Sequence, residues 1–501
     1  MKSLLAGLLI VAALVPQGSR RTFTGTITDA MCEKASHAAM RMGPTDAECA
    51  KACAEEHDAA YVLFDGKNVY QLSDQRTPER FAAKKVTVVG ALDEKTKTIH
   101  VESITAADPV KPKIRAITGF ITIDAKAYPA QIAETVTFLN RVRDAVKAAG
   151  YDVAGIRIST QPFPDFTRGL SHQDALAVLR GIDELAAKLR FAPNIGPAMV
   201  KDADDTAPID LLTEILATPG NRLNANIIVA GDDGIHWNAV KQAARVIKAV
   251  GERSPHGQGN FNFAAIAMLK PYGPFYPGAW HPGGGPKSFA IGLEAANVAM
   301  DVLAGNRDPR TAAKSLTDAL ALHDRAVEAA ATKAAAGSGW TYAGIDPTPA
   351  PGGQSSIGAA IESFIGAPFG SPGTETAAAI ITRAVKDVPV KQTGYSGLMI
   401  PVLEETVLTR RWTEGTYGLD SILAYSAVCA GGVDTVPLPG DTSEADIARI
   451  VGDVATLAVK WNKPLAARLL PAPGKKVGEM TEFSGALSNA TIQPLPGSPR
   501  Q

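Results

Sequence analysis

Basic stretches are missing from this sequence. Its 50 lysine and arginine residues are balanced by 51 aspartate and glutamate residues, so the formal net charge is −1. Proteins that bind nucleic acids concentrate Lys and Arg on one face, because the release of counterions from phosphates drives that binding. The sequence therefore predicts no nucleic-acid partner.

Long apolar runs are missing as well. The uncharged run from Ser3 to Val15, which follows Lys2, is shorter than the about 20 residues of a spanning helix. It has the length of a signal-peptide core, about 7–15 residues. We predict a signal peptide over residues 1–19, a periplasmic or extracellular location and no transmembrane span beyond the signal sequence. An uncleaved N-terminal anchor is the alternative.

Cysteine is scarce, with four residues in 501. Cys32, Cys49 and Cys53 lie near one another in the sequence, and Cys429 stands alone. An oxidising compartment permits one disulfide, and we predict that Cys32 pairs with Cys49 or Cys53. The alternative is a zinc or copper site, because Cys49, Cys53 and His57 recur every four residues on one helix face and Cys32 completes a Cys3His set.

The composition, with 46% apolar and 20% charged residues, is that of a globular protein of two or three domains. Residues 20–105 predict a small β domain. Asp65-Gly66 is a hairpin turn signal, and Thr45 with Glu48 forms a capping box that begins a helix. Five short strands and one helix are typical of a small closed barrel of the OB type.

A proline-containing linker is predicted over residues 106–113, followed by a large α/β domain over residues 114–501. In that domain, apolar runs alternate with helical stretches, which predicts a parallel α/β layout. The ten strand candidates begin near Ile114, Val153, Phe191, Asn224, Phe261, Ser288, Tyr342, Val390, Val433 and Leu465.

Several segments of the large domain together resemble the domain-of-unknown-function family 711. They are Tyr342–Pro351 (YAGIDPTPAP), Ser356–Glu362, Gly366–Thr374, Gly394–Glu405, Tyr425–Thr442 and Lys463–Phe483. The resemblance implies a ten-stranded α/β barrel similar to pyruvate formate-lyase and ribonucleotide reductase. The TGTITDAMC opening, the C-x3-C helix and the YVLFDG hairpin resemble a small exported domain of unknown function.

A glycyl-radical mechanism can be tested against the sequence. Enzymes of that type carry an R-V-x-G-Y-type loop near the C-terminus, and pyruvate formate-lyase adds two adjacent cysteines. No such loop follows Phe483, and Cys429 has no neighbouring cysteine. We predict a non-radical protein.

Four polar residues closely follow separate strand candidates: His281 in AWHPGGG, Asp346, Glu404 and Asp441. If all the strands run in parallel, their ends meet at one face, so we predict that these four side chains converge as catalytic residues. They could act as an acid/base pair or bind a divalent cation. The alternative is that each caps its own turn or helix, as Asp441 beside Ser443 could.

An anion site is predicted at a second position. Ser371, Gly373 and Thr374 precede a helical pattern, where free N–H groups can hold a phosphate or carboxylate. Lys475 and Lys476 could supply the opposite charge. The alternatives are an ordinary helix cap and a solvated lysine pair.

The leading interpretation is a non-radical enzyme, a lyase, isomerase or hydrolase, that acts on a small anionic metabolite outside the cytoplasm. The first rival is a catalytically silent protein that binds a small ligand or a metal. An envelope structural protein with a filled barrel is the second. An enzyme requires polar groups with shifted pKa values in one cavity, whereas a binder requires shape and a few donors.

Overall fold

The computed structural model describes residues 20–37, 41–107, 109–304, 308–352 and 355–497. The chain divides into two compact units, Met1–Val110 and Lys111–Gln501, and each is described by itself. The signal peptide predicted over residues 1–19 lies outside the described residues. Within the described ranges, no helix has both the length and the apolar character that crossing a membrane requires.

The N-terminal unit is a closed five-stranded β-barrel with one α-helix among its described residues. The strand order is β1-β2-β3-β5-β4, and pairing of β1 with β4 completes the closure. The elements are β1 (Arg20–Asp29), α1 (Asp46–His57), β2 (Tyr61–Phe64), β3 (Val69–Leu72), β4 (Lys85–Asp93) and β5 (Thr98–Ala106). The predicted strands, hairpins and helix of this domain agree with this arrangement.

Local turn chemistry explains two of these elements. Asp65 accepts hydrogen bonds from the Lys67 and Asn68 N–H groups at 2.8 and 2.6 Å, and Gly66 adopts φ +96°, which favours glycine. At the start of α1, the Glu48 N–H donates to Thr45 Oγ1 at 3.2 Å and the Thr45 N–H donates to Glu48 Oε2 at 3.0 Å. The capping box predicted from the sequence is confirmed.

The large unit is built on one ten-stranded sheet. Its order is β13-β12-β6-β7-β8-β9-β11-β15-β14, with β10 paired to β9. The strands are β6 (Lys113–Ile121), β7 (Ile156–Thr160), β8 (Ala192–Pro197), β9 (Asn224–Gly231), β10 (Gly234–Ile235), β11 (Phe263–Ala267), β12 (Ser288–Glu294), β13 (Thr341–Asp346), β14 (Gly432–Pro439) and β15 (Leu465–Ala472).

Helices connect these strands and bury their apolar faces in one large core. They are α2 (Tyr128–Ala148), α3 (Phe163–Thr167), α4 (His172–Leu189), α5 (Pro208–Ala217), α6 (Trp237–Arg253), α7 (Ala296–Leu303), α8 (Pro309–Ala335), α9 (Ile357–Ile365), α10 (Thr374–Lys386), α11 (Thr406–Thr413), α12 (Leu419–Tyr425) and α13 (Glu444–Trp461). In α2, Leu139, Val142 and Val146 are fully buried at helical spacing.

The strands do not all run in one direction, so the prediction of a parallel layout is wrong in this respect. Neighbours from β6 through β7, β8 and β9 to β11 are parallel. The pairs β12–β13 and β14–β15 are also parallel, but β12 pairs with β6 and β15 with β11 in the antiparallel sense. An apolar run buried on both faces has the same sequence signature in either direction. The strands therefore form two sets of opposite direction. The C-terminal ends of β6, β7, β8, β9 and β11 lie at one end of the sheet, and those of β12, β13, β14 and β15 lie at the other.

The strand candidate near Val390 is not a strand in the structure, whereas the other nine candidates correspond to strands. Residues 392–401 instead bridge both edges of the sheet, through Ile345–Gln392 and Pro401–Asp434. Gly394 (φ +72°) leaves no room for a side chain, since a Cβ there would lie 2.3 Å from Asp346 Oδ2. Glycine and proline interrupt this segment, which prevents a regular ladder.

A loop of residues 268–287 crosses one face of the sheet and is held there by polar strand side chains. Thr118 Oγ1 donates to the Pro274 carbonyl at 2.9 Å. The Asn194 and Asn226 amides both donate to the Pro277 carbonyl, at 2.9 and 2.8 Å. These bonds satisfy carbonyls that would otherwise be buried without partners.

One buried acid in this unit lies in an unfavourable environment. Asp324 on α8 is completely buried, and neither of its carboxylate oxygens has a hydrogen-bond partner among the described residues. Burial, together with the charges of Asp346 and Glu328, raises the pKa of Asp324 well above its usual value. The unfolded chain thus releases this proton at lower pH than the folded chain, so stability falls as the pH rises above about 4.

We expect Asp324→Asn to raise the free energy of unfolding by on the order of 1 kcal/mol or more at pH 8 and to change it little at pH 4. Urea unfolding at the two pH values measures the difference. Asp318→Asn is the matched control on the same helix, because Asp318 is exposed and pairs with Lys314. Equal effects of Asp324→Asn at both pH values would contradict a buried acid with a raised pKa.

Candidate functional site

A small cavity inside the large unit is lined by charged side chains. Its volume is about 60 Å³, and its charged lining consists of Arg115, Arg157, Arg468, Glu404 and Asp434. These five side chains define the three-arginine cavity. Three guanidinium groups face two carboxylates in this lining, and a third carboxylate, that of Glu294, contacts Arg115 from outside it.

Arg468 is the centre of the ion pairs in this cavity. Its Nη1 donates to Glu404 Oε1 at 2.6 Å and to Asp434 Oδ1 at 2.9 Å, and its Nη2 donates to the Phe261 carbonyl at 2.9 Å. Only 8% of the Arg468 side chain is exposed. Burial alone would lower the pKa of Arg468, but the charges of Asp434 and Glu404 outweigh it and raise that pKa above its usual value.

Arg115 extends the network toward the edge of the cavity. Its Nη2 donates to Glu404 Oε2 at 3.4 Å, and its Nη1 donates to Glu294 Oε2 at 3.2 Å and to the Pro351 carbonyl at 3.0 Å. Glu404 therefore accepts from two arginines. These shared, charge-assisted bonds fix both guanidinium planes.

Arg157 differs from the other two arginines. Within the part of the chain that the structure describes, it forms no ion pair with a carboxylate. Its guanidinium carbon lies 4.8 Å from the centroid of the Tyr276 ring. Burial, together with the charge of Arg115, lowers the pKa of Arg157 to about 10, so it remains a cation at neutral pH. Arg157 is partly buried, and a cation removed from much of its water without an anion is unfavourable unless a ligand supplies the negative charge.

β-Bulges place two of the charged groups. The register between β12 and β6 shifts between Gly292, opposite Ala116, and Leu293, opposite Ile114, so Arg115 is the additional residue. A second shift lies between Val433 and Val436, at Asp434, where the opposing strand carries Arg468. Bulges change the direction of a side chain and are frequent beside functional sites.

Asp434 is the group in this cavity best suited to exchange a proton. It is buried, and burial raises its pKa, while the Arg468 guanidinium acts in the opposite direction. The charge of Glu404 also raises the pKa of Asp434. A carboxyl with a raised pKa that contacts a cation in a cavity has the properties of a general acid or base.

Of the four predicted catalytic residues, only Glu404 lines this cavity. His281 lies near the opposite end of β6, where its Nε2 donates to the Ile121 carbonyl at 3.0 Å and its Nδ1 accepts from the Gly283 N–H at 3.3 Å. Both ring nitrogens are engaged in structural bonds. Burial lowers the pKa of His281 to about 4, so the ring is neutral at neutral pH.

Asp346 is held by the chain around it. Its carboxylate accepts from the Thr348 N–H and hydroxyl, at 3.1 and 2.5 Å, and from the N–H groups of Tyr395 and Ser396, at 2.7 and 3.0 Å. Burial raises the pKa of Asp346 to about 6, although these four donors act in the opposite direction. The carboxylate joins the end of β13 to the segment 392–401.

Asp441 is exposed in the turn before α13, and Ser443 caps that helix by accepting from the Asp446 N–H at 3.1 Å. The four residues therefore do not share a pocket. The expectation that they converge assumed that all strand ends meet at one face. The residues do not converge because the strands run in two opposite directions. In addition, His281 and Asp346 are held by local hydrogen bonds.

The predicted anion site divides into two separate sets of contacts. Thr374 Oγ1 donates to the Ser371 carbonyl at 2.8 Å and accepts from the Gly370 N–H at 3.0 Å, while Gly373 precedes α10 at φ +104°. Lys475 pairs with Glu482 at 2.6 Å, and the Lys476 N–H donates to Glu479 at 2.6 Å. No hydrogen bond or ion pair joins the two sets in the described ranges.

None of Cys32, Cys49 and Cys53 forms a disulfide in the structure, contrary to the predicted bond from Cys32 to the helix. Their sulfur atoms do lie within 4.8 Å of one another. His57, the fourth member of the alternative metal set, is exposed at the end of α1 and is not part of this group. Cys49 and Cys53 are neighbours of Cys32, as predicted, but neither is bonded to it.

Sequence reasoning missed Arg115, Arg157, Asp434 and Arg468. Each is the one charged residue in the interior of a largely apolar strand: KIRAITGFI (which begins with Lys113), IRIST, GVDTVPLP and LAARLLPA. Because burying a charge is costly unless it is paired, a lone charge inside a buried strand is itself a signal of a polar interior site. The predicted site included only residues that follow strand candidates, so these four residues within strands were not part of it.

A larger groove of about 620 Å³ lies near Pro162 and Pro282. Two of its acidic side chains, those of Asp165 and Asp204, are occupied locally. Asp204 accepts from the N–H groups of Val200 and Lys201 at 2.7 and 2.9 Å, and the exposed Arg168 pairs with Asp165. Size alone does not make a site, and the smaller three-arginine cavity has the converging buried charges.

Comparisons with known proteins identify relatives of the large unit. A profile of the family described as "Uncharacterised ACR (DUF711)" matches residues 108–485. A UPF0210 protein of Desulforudis audaxviator is 31% identical over 361 residues, which cover 68% of this chain and 79% of that protein. A UPF0210 protein of Desulfovibrio desulfuricans is 28% identical over 434 residues, 81% and 91% of the two chains.

A UPF0210 protein of Methanopyrus kandleri is 28% identical over 418 residues, 76% of this chain and 90% of that protein. The profile match spans β6 to β15, and with them all five charged residues of the three-arginine cavity. The family resemblance of the C-terminal segments is confirmed: the chain belongs to the DUF711 family, also called UPF0210.

Proposed function

We propose that this protein binds a small anionic ligand in the three-arginine cavity and acts on it as a non-radical enzyme. The observation that carries the proposal is Arg157, a partly buried cation that lines the cavity without a carboxylate partner among the described residues. A carboxylate or phosphate group of the ligand would supply the missing charge. Arginine suits this role because its planar fork binds such groups through two parallel hydrogen bonds.

The groups around that anion allow proton transfer. Asp434, with its raised pKa, would exchange a proton with the ligand, and Arg468 would hold the resulting carboxylate. Tyr395 lines the same cavity, and burial raises the pKa of its phenol, so it stays protonated and can donate a hydrogen bond. The small volume favours a compact ligand, or the charged end of a larger one that reaches the cavity from outside.

A catalytically silent binding protein is the second candidate, and one observation favours it. Asp434 and Glu404 both accept hydrogen bonds from Arg468, so protonation of either carboxylate would weaken an ion pair. Product formation from a bound anion distinguishes an enzyme from a binder.

Arg157→Met tests the proposal. We expect it to weaken binding of a small dicarboxylate or of inorganic phosphate by about 10–100-fold, because a charge-assisted hydrogen bond contributes roughly 1.5–3 kcal/mol. A thermal-shift titration measures this, since a ligand that binds the folded state raises Tm. We expect the ligand-free variant to be as stable as the parent or more stable, because a partly buried charge without a carboxylate partner has been removed.

Arg245→Met is the matched control. Arg245 is a half-exposed arginine that pairs with Asp210 on the protein surface, and its loss should leave anion binding unchanged. Arg157→Lys should retain part of the affinity, because it keeps the charge but not the fork. Unchanged anion binding in Arg157→Met, or a large loss of stability without a ligand, would assign Arg157 a structural role.

We further propose that the nine strands other than β10, together with the segment 392–401, form a ten-stranded barrel similar to that of pyruvate formate-lyase. Five-stranded parallel halves in antiparallel relation and the two edge bridges support this. The strand order of the N-terminal unit supports an OB-like barrel. The charge-free run after Lys2 supports export to the periplasm or beyond.

A further inference from the structure

The N-terminal barrel contains a group of buried sulfur ligands. The Sγ atoms of Cys32, Cys49 and Cys53 lie within 4.8 Å of one another, and all three side chains are buried. Donors bound at about 2.3 Å to a tetrahedral ion are separated by about 3.8 Å, so small side-chain rotations would bring these sulfurs to bonding distance.

A second group, at Cys32, independently indicates a ligand. The side-chain donor atoms of Asp29, Cys32 and His37 also lie within 4.8 Å of one another. His37 is 2% exposed, and its Nδ1 is 3.7 Å from Asp29 Oδ2. Neither atom has a hydrogen-bond partner in the described ranges. Buried polar atoms without partners are rare and costly, and an ion is one way to satisfy them.

The local structure prepares His37 to be a ligand. The Thr28 hydroxyl donates to the Cys32 carbonyl at 2.8 Å and lies 3.4 Å from His37 Nε2. Because that hydroxyl proton is already used, its oxygen can only accept from the ring, which places the imidazole proton on Nε2. Nδ1 is then left with a free electron pair, as metal-bound histidines require.

The backbone holds the cysteines in place from two elements. Asp29 Oδ1 accepts from the N–H groups of Met31 and Cys32, at 2.9 Å each, which fixes the turn after β1. Cys49 and Cys53 are one turn apart on α1 and project from the same face. The site is thus formed where the first helix packs on the first strand.

We propose that Cys32, Cys49 and Cys53 bind one zinc ion, with His37 as the fourth ligand. Three thiolates on a divalent ion carry a net negative charge, so a neutral imidazole is favoured over the Asp29 carboxylate. His37 takes the place that helix periodicity alone assigns to His57. The set, Cys3His, is a closed structural zinc site rather than a catalytic one.

Cysteine binds zinc as the thiolate, so a thiol that binds this ion loses its proton. Burial, together with nearby Asp29, raises the pKa of the Cys32 thiol, and it raises that of Cys53 to about 12. Without a metal these two thiols are therefore protonated at neutral pH. Because the metal must displace their protons, zinc affinity should fall steeply as the pH is lowered.

Metal analysis of the full-length chain, purified under reducing conditions after growth with zinc, should find one equivalent of zinc. Co²⁺ should replace it and produce the sulfur-to-cobalt charge-transfer band of a three-thiolate site. Cys32→Ser, Cys49→Ser and Cys53→Ser should each remove stoichiometric binding. His37→Ala should weaken Zn²⁺ binding by at least ten-fold and shift the cobalt spectrum.

Two control variants establish that the zinc is bound at this site. Cys429→Ser removes a buried cysteine of the large unit, and His57→Ala removes the exposed histidine of α1; both should retain full zinc content. If a cysteine variant does not fold, alkylation of the unaltered protein tests the same site. Bound zinc should protect three thiols from alkylation, and a chelator should make them reactive.

Three results would overturn the proposal. The first is unaltered protein without zinc or cobalt binding and with alkylation of the three thiols unaffected by metal. The second is a disulfide from Cys32 to Cys49 or Cys53 in freshly purified protein that binds no zinc after reduction. The third is loss of affinity in His57→Ala but not in His37→Ala, which would place the fourth ligand on the helix.

Discussion

Arg468→Met should lower the free energy of unfolding by about 3–5 kcal/mol at pH 8, because it leaves Asp434 and Glu404 buried without their shared partner. Their side chains are only 11% and 13% exposed, so water cannot replace the guanidinium. Methionine fills a similar volume, which limits the contribution of an empty cavity to the loss.

The pH dependence distinguishes lost charge pairing from lost packing. Without Arg468, burial raises the pKa of Asp434 against less opposition, since only the more distant charge of Arg115 still lowers it, so the folded variant keeps a proton that its unfolded chain releases. Stability of the variant should therefore fall as the pH rises above about 4. The difference from the parent protein should be small at pH 4–5 and large at pH 8.

Tryptophan fluorescence during urea unfolding measures this effect on the large unit alone, because all five tryptophans of the chain lie in it. Arg449→Met, at an exposed arginine paired with Asp446 on α13, is the matched control and should change stability by less than about 0.5 kcal/mol. Adding Asp434→Asn and Glu404→Gln to Arg468→Met should restore much of the stability. A loss independent of pH would mean that Arg468 acts through packing.

Asp346→Ala should lower the free energy of unfolding by at least about 3 kcal/mol. The substitution leaves the four donors from Thr348, Tyr395 and Ser396 without an acceptor. Asp346→Asn should cost less, about 1–3 kcal/mol. Its carbonyl oxygen can keep the contacts of Oδ1, but its amide then faces the Tyr395 N–H. The same fluorescence-detected unfolding ranks the variants.

Asp441→Ala is the informative comparison for Asp346, because both residues follow strands and both have the sequence signature of a site. Asp441 is exposed, so its loss should change neither stability, beyond about 0.5 kcal/mol, nor anion binding. Asp346→Ala with normal stability but abolished turnover would instead make Asp346 a catalytic residue.

Several elements of this protein could be predicted because the determining interactions are local. The Asp65-Gly66 hairpin and the Thr45–Glu48 capping box involve residues within a few positions of one another. Nine strand candidates of the large unit were found because runs of apolar residues between turn signals indicate burial, whatever lies next to them. The motifs of the C-terminal segments likewise sufficed to place the chain in its family.

The candidate sites depended on contacts that no local pattern contains. Arg115 and Glu404 meet across 289 positions of sequence, and the bulges at Arg115 and Asp434 are defined only by the strands opposite them. At Cys32, periodicity on α1 selected His57, whereas the fold places His37 beside Cys32 and Asp29.

The sequence by itself thus determined nine strands of the large unit, the Asp65-Gly66 hairpin, the Thr45–Glu48 capping box and the family to which the chain belongs. Only the tertiary structure decided which strands run antiparallel, and hence that His281 and Asp441 lie apart from Glu404 while Arg157 and Asp434 lie beside it. The physical reason is that secondary structure follows from the period of burial along the chain, whereas a site is defined by side chains that long-range pairing brings together.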